Sequence, residues 1–373
     1  MRGNYKICTR CIMDTTDPEI QFDDNGICNH CRRYEESAKK RLHYDKRGRE
    51  KLNNLVIKIK QEGKNKRYDC MTGLSGGVDS TTATYYAVKK FGLRPLGIHV
   101  DNGWDPEVTT KNIKNIVKNL GIDLYIYSLD WEEFRDLQLS FLKASVINWE
   151  MPTDHVTAAA IFQVAREKGL RYIISGRNIV TEEILPQSWS YNARDLRNLR
   201  EIHKRFGSIP LKNTPTLSIL GWIYYTFVKK IRIVPILNYV PYIREEAKAL
   251  IKKELGWKDY GEKHHESIFT RFYQGYVLPK RFNIDKRKAH LSTLINSGQI
   301  TREEALEGTK KLLYSREQIE EDKDYVLKKL GLTEEEFEKI MSKPIKKHTD
   351  YPNNQFLFSK LMTFAKLAKK ITT

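Results

Sequence analysis

TGLSGGVDST, residues 72–81, sets a pair of glycines and an aspartate between Ser75 and Ser80, directly behind a short apolar run. The run Tyr68 to Leu74 predicts a short buried strand, and Ser80 to Phe91 predicts a helix, which places the glycines at a strand-to-helix turn. Such a turn is an anion site. Glycine lets the backbone come close to a phosphate, and the free N–H groups and positive end of the new helix attract it. Ser75 and Ser80 add hydroxyl donors. Asp79 would repel a phosphate unless a cation intervened, so its presence implies Mg²⁺ carried in with the nucleotide. The lysine of G-x-x-x-x-G-K-[ST] is missing, as is the G-x-G-x-x-G of a dinucleotide fold.

The 373-residue chain is long enough for two or three domains. An apolar content of 40% and a mean hydropathy of −0.58 argue against a membrane-embedded protein. Thr216 to Val228, the most apolar window, is too short to span a bilayer and predicts a buried helix. Met1 is followed by a polar, charged start without an apolar core, so no secretion signal is read there and the expected location is the cytoplasm. Net charge is +18, and between Arg32 and Arg67 fourteen Lys and Arg face five Asp and Glu. That arm suits either an RNA-binding surface or a solvated helical linker beside an enzyme that handles anions.

Four of the five cysteines form CTRC (Cys8, Cys11) and CNHC (Cys28, Cys31), with sixteen residues between the pairs. This is the spacing of a zinc ribbon, in which four thiolates close a tetrahedral shell and leave no position for chemistry. A structural zinc is therefore expected, with His30 a bystander. The fifth cysteine, Cys70, falls on the first predicted strand.

From Arg67 the pattern alternates strands and helices, as in a parallel sheet. Further strands are expected at Leu96–Asp101, Asp123–Asp130, Leu170–Asn178 and Ile231–Val240, and a helix opening near Thr153 and Asp154. Ligands of open α/β sheets bind beyond the carboxyl ends of strands, which gathers Ser75–Ser80, Asp101 with Asn102, and Ser175–Asn178 into one wall. After Lys258 the pattern turns helical, with capping boxes at Thr301 and Thr333. The segment Tyr260–Leu291 mixes aromatics with His264, His265, Glu266, Arg271, Lys280, Arg281, Lys286 and Arg287, a composition suited to an anionic substrate and to proton transfer.

Ser75–Ser80 resembles the SGG-x-DS loop of the PP-loop ATP pyrophosphatases. Together with MDTTDPEIQFDDNGICNHC, PTDHVTAAAIFQVA, ISGRNIVTEEILP and YGEKHHE through YVLPKRFNIDKRKAHLS, it makes nearly the whole chain similar to the N-acetyl sugar amidotransferases of the WbpG and PseA type. The resemblance implies an α/β fold of the adenine nucleotide alpha hydrolase kind, with a parallel sheet of about five strands, an N-terminal zinc ribbon and a C-terminal helical part. The division it implies is ribbon 1–34, basic linker 35–66, ATP pyrophosphatase domain 67–258 and helical substrate or partner domain 259–373. It also implies ATP contacts at Leu74, Ser75, Gly76, Gly77, Val78, Asp79, Ser80, His99, Val100, Asp101, Gly176 and Arg177. Substrate contacts would come from Asn178, Glu182, His264, His265, Glu266, Arg271, Lys280, Arg281, Lys286 and Arg287, and catalytic roles from Asp79, Ser80, Glu183 and His265. Arg177 stands where a smaller residue is expected.

The activity implied is ATP-dependent conversion of an acetamido group on an acidic sugar, nucleotide-linked or nonulosonic, to an acetamidino group in bacterial surface-polysaccharide synthesis. ATP, Mg²⁺ and Zn²⁺ are the implied cofactors. Ammonia would come from a separate glutaminase with a cyclase-like barrel subunit, and nucleic acid is not an expected partner. The competing reading is a tRNA-thiolating PP-loop enzyme, which a ribbon and basic arm also suit, and a third is a nucleotide-binding scaffold without turnover.

Overall fold

The computed structural model of the chain describes residues 5–358, apart from 262, 264 and 313. Five short strands, β1 (Cys70–Gly73), β2 (Pro95–Asp101), β3 (Leu124–Ser128), β4 (Tyr172–Ser175) and β5 (Arg232–Pro235), form one sheet in the order β3-β2-β1-β4-β5. Every pairing is parallel, with Cys70–Gly73 in register against Pro95–Ile98 on one side and Met71–Thr72 against Ile173–Ile174 on the other. All five strands expected from the sequence are present; four are shorter than expected, and β2 instead begins one residue earlier, at Pro95. The order reverses between β1 and β4, and a crevice opens at such a reversal beyond the strand ends.

Helices cover both faces. α1 (Asn29–Arg41) and α2 (Lys46–Gly63) carry the basic arm; α2 is opened by Asp45, whose carboxylate accepts from the Gly48 N–H at 2.7 Å. Leu52, Val56 and Ile59 recur at helical spacing on α2 and pack with Cys70, Leu74 and Tyr172, so the arm is a layer of the fold with its cations turned outward. α3 (Val78–Tyr85) starts two residues earlier than expected and continues as a π-helical turn over Tyr86–Lys90. α4 (Glu107–Leu120) buries Ile113, Ile116 and Leu120 and stops at Gly121, whose φ of 63° suits a residue without Cβ. α5 (Trp131–Ala144) and α6 (Met151–Glu167) follow β3; Pro152 in the first turn moves the start of α6 ahead of Thr153.

A second core joins the rest. Trp104, Phe134, Phe141 and Trp149 pack with Phe269, Phe272 and Phe337 of the C-terminal helices and with the four ribbon cysteines. The helices Arg302–Lys310 and Glu334–Ser342 both open with the full capping box expected at Thr301 and Thr333.

One expectation fails. Thr216–Val228 contains a helix, Ile219–Ile223 running into a π-helical turn Tyr224–Val228, but none of these ten residues is buried. Tyr225 turns inward and stacks on Phe162 at 5.7 Å, while Leu220, Phe227 and Val228 face out. Apolar content alone could not separate a core helix from a two-faced surface helix.

Candidate functional site

At the end of β1, Gly76 adopts a φ of +76°, and a Cβ there would lie 2.9 Å from Thr109 Cγ2. The first turn of α3 thus presents the backbone of Gly77, Val78 and Asp79 to the crevice. Ser75 and Ser80 join their hydroxyls at 3.0 Å, and Ser80 also donates to the Gly77 carbonyl at 3.1 Å. His99 braces the loop from β2: one ring nitrogen meets the Leu74 carbonyl at 2.8 Å, the other Asp105 at 2.6 Å. Burial disfavours a charged imidazole there, but Asp105 and the carbonyl outweigh it and raise the His99 pKa above the usual histidine value. His99 is therefore placed as a brace for the loop; Val100 lies in β2, and Asp101 accepts from the Gly103 N–H at 2.9 Å in a turn.

This brace gives a pH signature. A raised histidine pKa stabilises the fold fully below the unfolded value of 6.5 and loses that contribution as pH climbs through the folded value. Asp105→Asn is expected to cost about 1.5–3 kcal/mol near pH 6 and clearly less near pH 9. Thermal unfolding across that range reads it, and a penalty that grows with pH would exclude a protonated brace.

Asp79 is the centre of the site. Its carboxylate accepts from the Tyr242 hydroxyl, from Thr181 Oγ1 at 3.1 Å and from Lys263 Nζ at 3.2 Å. Burial opposes its charge, yet Lys263, Tyr242 and Arg244 hold its pKa below the usual carboxylate range. Burial likewise works against the Lys263 charge, but Asp79 and Glu182, the latter 3.2 Å away, raise the ammonium pKa. Lys263 thus gives Asp79 a cation from the chain itself, apart from the Mg²⁺ expected to come with a nucleotide. Gly176, at the end of β4, lets the strand pass so close that a Cβ would sit 2.5–2.6 Å from backbone atoms of Asp79 and Ser80.

Beyond Lys263 lies a cavity of about 230 Å³. Arg244, Lys263, Lys286, Arg287 and Lys311 line it with His265 and His290, and among the described residues no carboxylate does. Four of these cations have carboxylates behind them, Arg244 with Glu245, Lys263 with Asp79 and Glu182, Lys286 with Glu150 and Arg287 with Asp285, so the wall turns positive charge to the cavity while its counter-charges sit outside it. Thr181 and Lys263 belong both to this wall and to the Asp79 cluster, so the cavity and the glycine turn are contiguous.

Of the expected substrate contacts, His265, Lys286 and Arg287 line this cavity. Glu182 reaches it through Lys263, and Glu266 lies over the loop, its backbone carbonyl accepting from Thr109 at 3.0 Å. His264 falls outside the described residues. The others are engaged elsewhere. Asn178 caps the turn Ile179–Glu182 through the Thr181 N–H, and so places Thr181 against Asp79. Arg271 forms a two-pronged pair with Asp322, both contacts 2.6 Å, because a buried guanidinium needs its own carboxylate. Lys280 meets Tyr276 and Glu338, and Arg281 ties down the carbonyls of Met341 and Lys343. Glu183, expected as a catalytic base, is paired with Arg41 of α1 at 3.0 Å. Arg177 is exposed at the end of β4. Lys263, Tyr242, Arg244 and His290 were not singled out in the sequence; Lys263 stood inside the quoted YGEKHHE without any pattern marking it.

The four ribbon thiols are fully buried and lie within 4.8 Å of one another. Separations of 3.7 Å for Cys11–Cys28 and Cys28–Cys31 and 4.0 Å for Cys8–Cys31 fit a tetrahedron with metal–sulfur bonds of about 2.3 Å, whose edges are about 3.8 Å. His30 is no ligand: it pairs with buried Asp17 at 2.6 Å. The ribbon leans on the helix Arg287–Asn296, where the Ser292 hydroxyl accepts from the Ile12 N–H at 3.2 Å and Asn296 donates to Cys31 Sγ at 3.3 Å. Arg302 adds bonds to the Cys8 and Cys11 carbonyls, each 3.1 Å.

Residues 266–367 match the family described as LPS biosynthesis protein WbpG-like, C-terminal domain, and residues 51–141 match NAD synthase. The chain thus joins a WbpG-like C-terminal domain to an NAD synthase-like domain. The two matches fall on the halves of the site: the glycine turn in one, most of the cationic cavity in the other. The chain is also 24% identical over 327 residues to the uncharacterized protein MJ1599 of Methanocaldococcus jannaschii, spanning 84% of the present chain and 96% of that one. Similar solved structures include NMN synthetase from Francisella tularensis, at 14% identity over 60% of this chain and 90% of that one with a TM-score of 0.29. Another is NH3-dependent NAD synthetase from Campylobacter jejuni, at 14% identity over 77% and 96% with a TM-score of 0.29. Among the described residues no helix is long and apolar enough to cross a membrane.

Proposed function

We propose that the chain is an ATP-dependent amidotransferase that converts the acetamido group of an acidic sugar to an acetamidino group. The observation that carries this reading is the cationic cavity opening directly onto Asp79. A sugar carboxylate or nucleotide phosphate held by Lys286, Arg287 and Lys311 would bring an acetamido oxygen toward the α-phosphate of ATP in the turn. An amide carbon is a poor electrophile and its oxygen a poor leaving group. Attack of that oxygen on the α-phosphorus would form an O–P bond, break the P–O bond to pyrophosphate and give an O-adenylyl imidate. Ammonia would then add to the imidate carbon, lose its extra protons and expel AMP. Mg²⁺ bound with the nucleotide would offset phosphate charge at Asp79, and zinc would close the four-cysteine shell. Lys263 would move its charge from Asp79 to the phosphates when they arrive, and His265 or His290 stands on the cavity wall to take a proton.

The thiolase reading is weakened by Cys70. It is buried in β1 and its thiol is pushed up by burial, the reverse of what a persulfide carrier needs. Incubation with ATP, ammonium and a panel of acidic acetamido sugars is expected to yield AMP, pyrophosphate and a product about one dalton lighter, as O is replaced by NH. AMP formation that requires tRNA, or that stops with Cys70→Ala in a folded protein, would favour the thiolase instead.

The nitrogen source gives a further expected outcome. Glutamine hydrolysis needs an activated nucleophile, and here the ribbon thiols face one another while Cys70 is enclosed. Ammonium should support turnover and glutamine alone should not, differing by at least about a hundredfold. Turnover on glutamine by the isolated chain would remove the need for a separate glutaminase and its barrel subunit.

A further inference from the structure

The helix that ought to have been core stands out on the surface. Leu220 is 77% exposed, Phe227 66% and Val228 63%, and with Tyr224 they fall at the spacing of one helical face. Isolated exposed apolar residues are ordinary, but four in a row along one short helix make a patch. Its surroundings are cationic. Lys229, Lys230 and Arg232 follow at once and are exposed. Between Glu201 and Glu245 the chain holds seven Lys and Arg and not one Asp or Glu. Arg194 lies over the Trp222 ring at 5.2 Å. Beside Leu220 a cavity of about 320 Å³ is walled by Ile219, Ser218, Arg197, Arg200 and Glu201.

We propose that this face docks on the surface of a membrane rich in anionic lipid, with Leu220, Tyr224, Phe227 and Val228 entering the interfacial layer and Lys229, Lys230 and Arg232 meeting headgroup phosphates. An interfacial helix needs an apolar ridge, aromatic rings at the level of the headgroups and basic residues at its shoulder, and this one supplies all three. It lies on the bilayer and does not cross it, consistent with its length. A second copy of the chain fits the face poorly. Two-fold pairing would set Lys229, Lys230 and Arg232 against their own copies, with no carboxylate of residues 202–244 to receive them.

The test uses the full zinc-loaded chain and sedimentation with vesicles of phosphatidylcholine alone or with about a third phosphatidylglycerol. Binding to the anionic vesicles is expected to exceed binding to the neutral ones at least about tenfold, and to fall as salt rises from about 0.1 M to about 0.5 M. Leu220→Asp with Phe227→Asp should lose at least about tenfold of it, with the circular dichroism spectrum and AMP formation in solution unchanged. Lys229→Gln with Lys230→Gln should remove the preference for anionic lipid. Equal binding to both vesicles, or binding indifferent to the aspartate pair, overturns the proposal. So does sedimentation velocity that finds a dimer dissolved by the aspartate pair, which would assign the face to a second copy, or an acidic protein held by the same residues when vesicles are not.

Discussion

Asp79→Asn is expected to lower AMP and pyrophosphate formation by on the order of a hundred- to a thousandfold while the protein stays folded. Asparagine keeps the volume of the side chain and an oxygen to accept from Tyr242 and Thr181, but it gives up the charge on which Lys263 and an incoming metal both depend. Alanine is the poorer choice. It would strip the buried Lys263 ammonium of one of its two carboxylates, and breaking a buried pair costs about 3–5 kcal/mol, so lost turnover could reflect unfolding. Ser80→Ala, which removes only a hydroxyl bonded to Ser75 and the Gly77 carbonyl, should lose activity with little change in stability. Pyrophosphate release by a coupled assay, read beside a thermal melt, separates the two effects. A wild-type rate from the asparagine variant would dismiss Asp79 as the charged centre.

Gly176→Ala should be nearly as severe for a different reason. The added methyl would come within 2.5 Å of the Asp79 carbonyl carbon and 2.6 Å of the Ser80 nitrogen, and backbone on both sides leaves nothing to swing away. β4 and the first turn of α3 must part by about 1 Å, and a displacement of that size at a reacting centre costs about a hundredfold. Overpacking of this kind also costs about 1–3 kcal/mol of stability. Gly73→Ala is the matching control for stability, since a Cβ at that end of β1 meets nothing within 4 Å. Equal melting temperatures for the two variants would show that β4 can retreat without loss.

What the sequence made legible were features whose physics is local. The glycine turn is specified by six consecutive residues, each capping box by four, and the thiol shell by two close pairs; the five strands are short apolar runs that could be little else. What it hid were partnerships across the chain. Tyr242 and Lys263 converge on Asp79 from 163 and 184 residues away, and no spacing rule links them. Arg271 read as a substrate contact because its carboxylate, Asp322, comes from a different helix 51 residues on. Glu183 fails in the same way, being claimed by Arg41 from 142 residues upstream. The helix at Ile219 misled for the opposite reason: its composition was read correctly and its surroundings were not.

The ribbon's seat behind the helix Arg287–Asn296 carries a consequence for how the two ends of the protein communicate. One side of that helix is held by the ribbon, Ser292 by the Ile12 N–H and Asn296 by Cys31 Sγ; the other, through Arg287, His290, Leu291 and Leu294, is cavity wall. Any free energy by which the metal steadies the helix is shared with whatever anion the wall receives, and linkage makes the exchange symmetric. A zinc that tightens the hold on the anion must itself be held more tightly once the anion is there. Occupancy of the cavity would then raise the chelator concentration needed to strip the zinc at equilibrium, so that a protein at work guards its own metal better than an idle one.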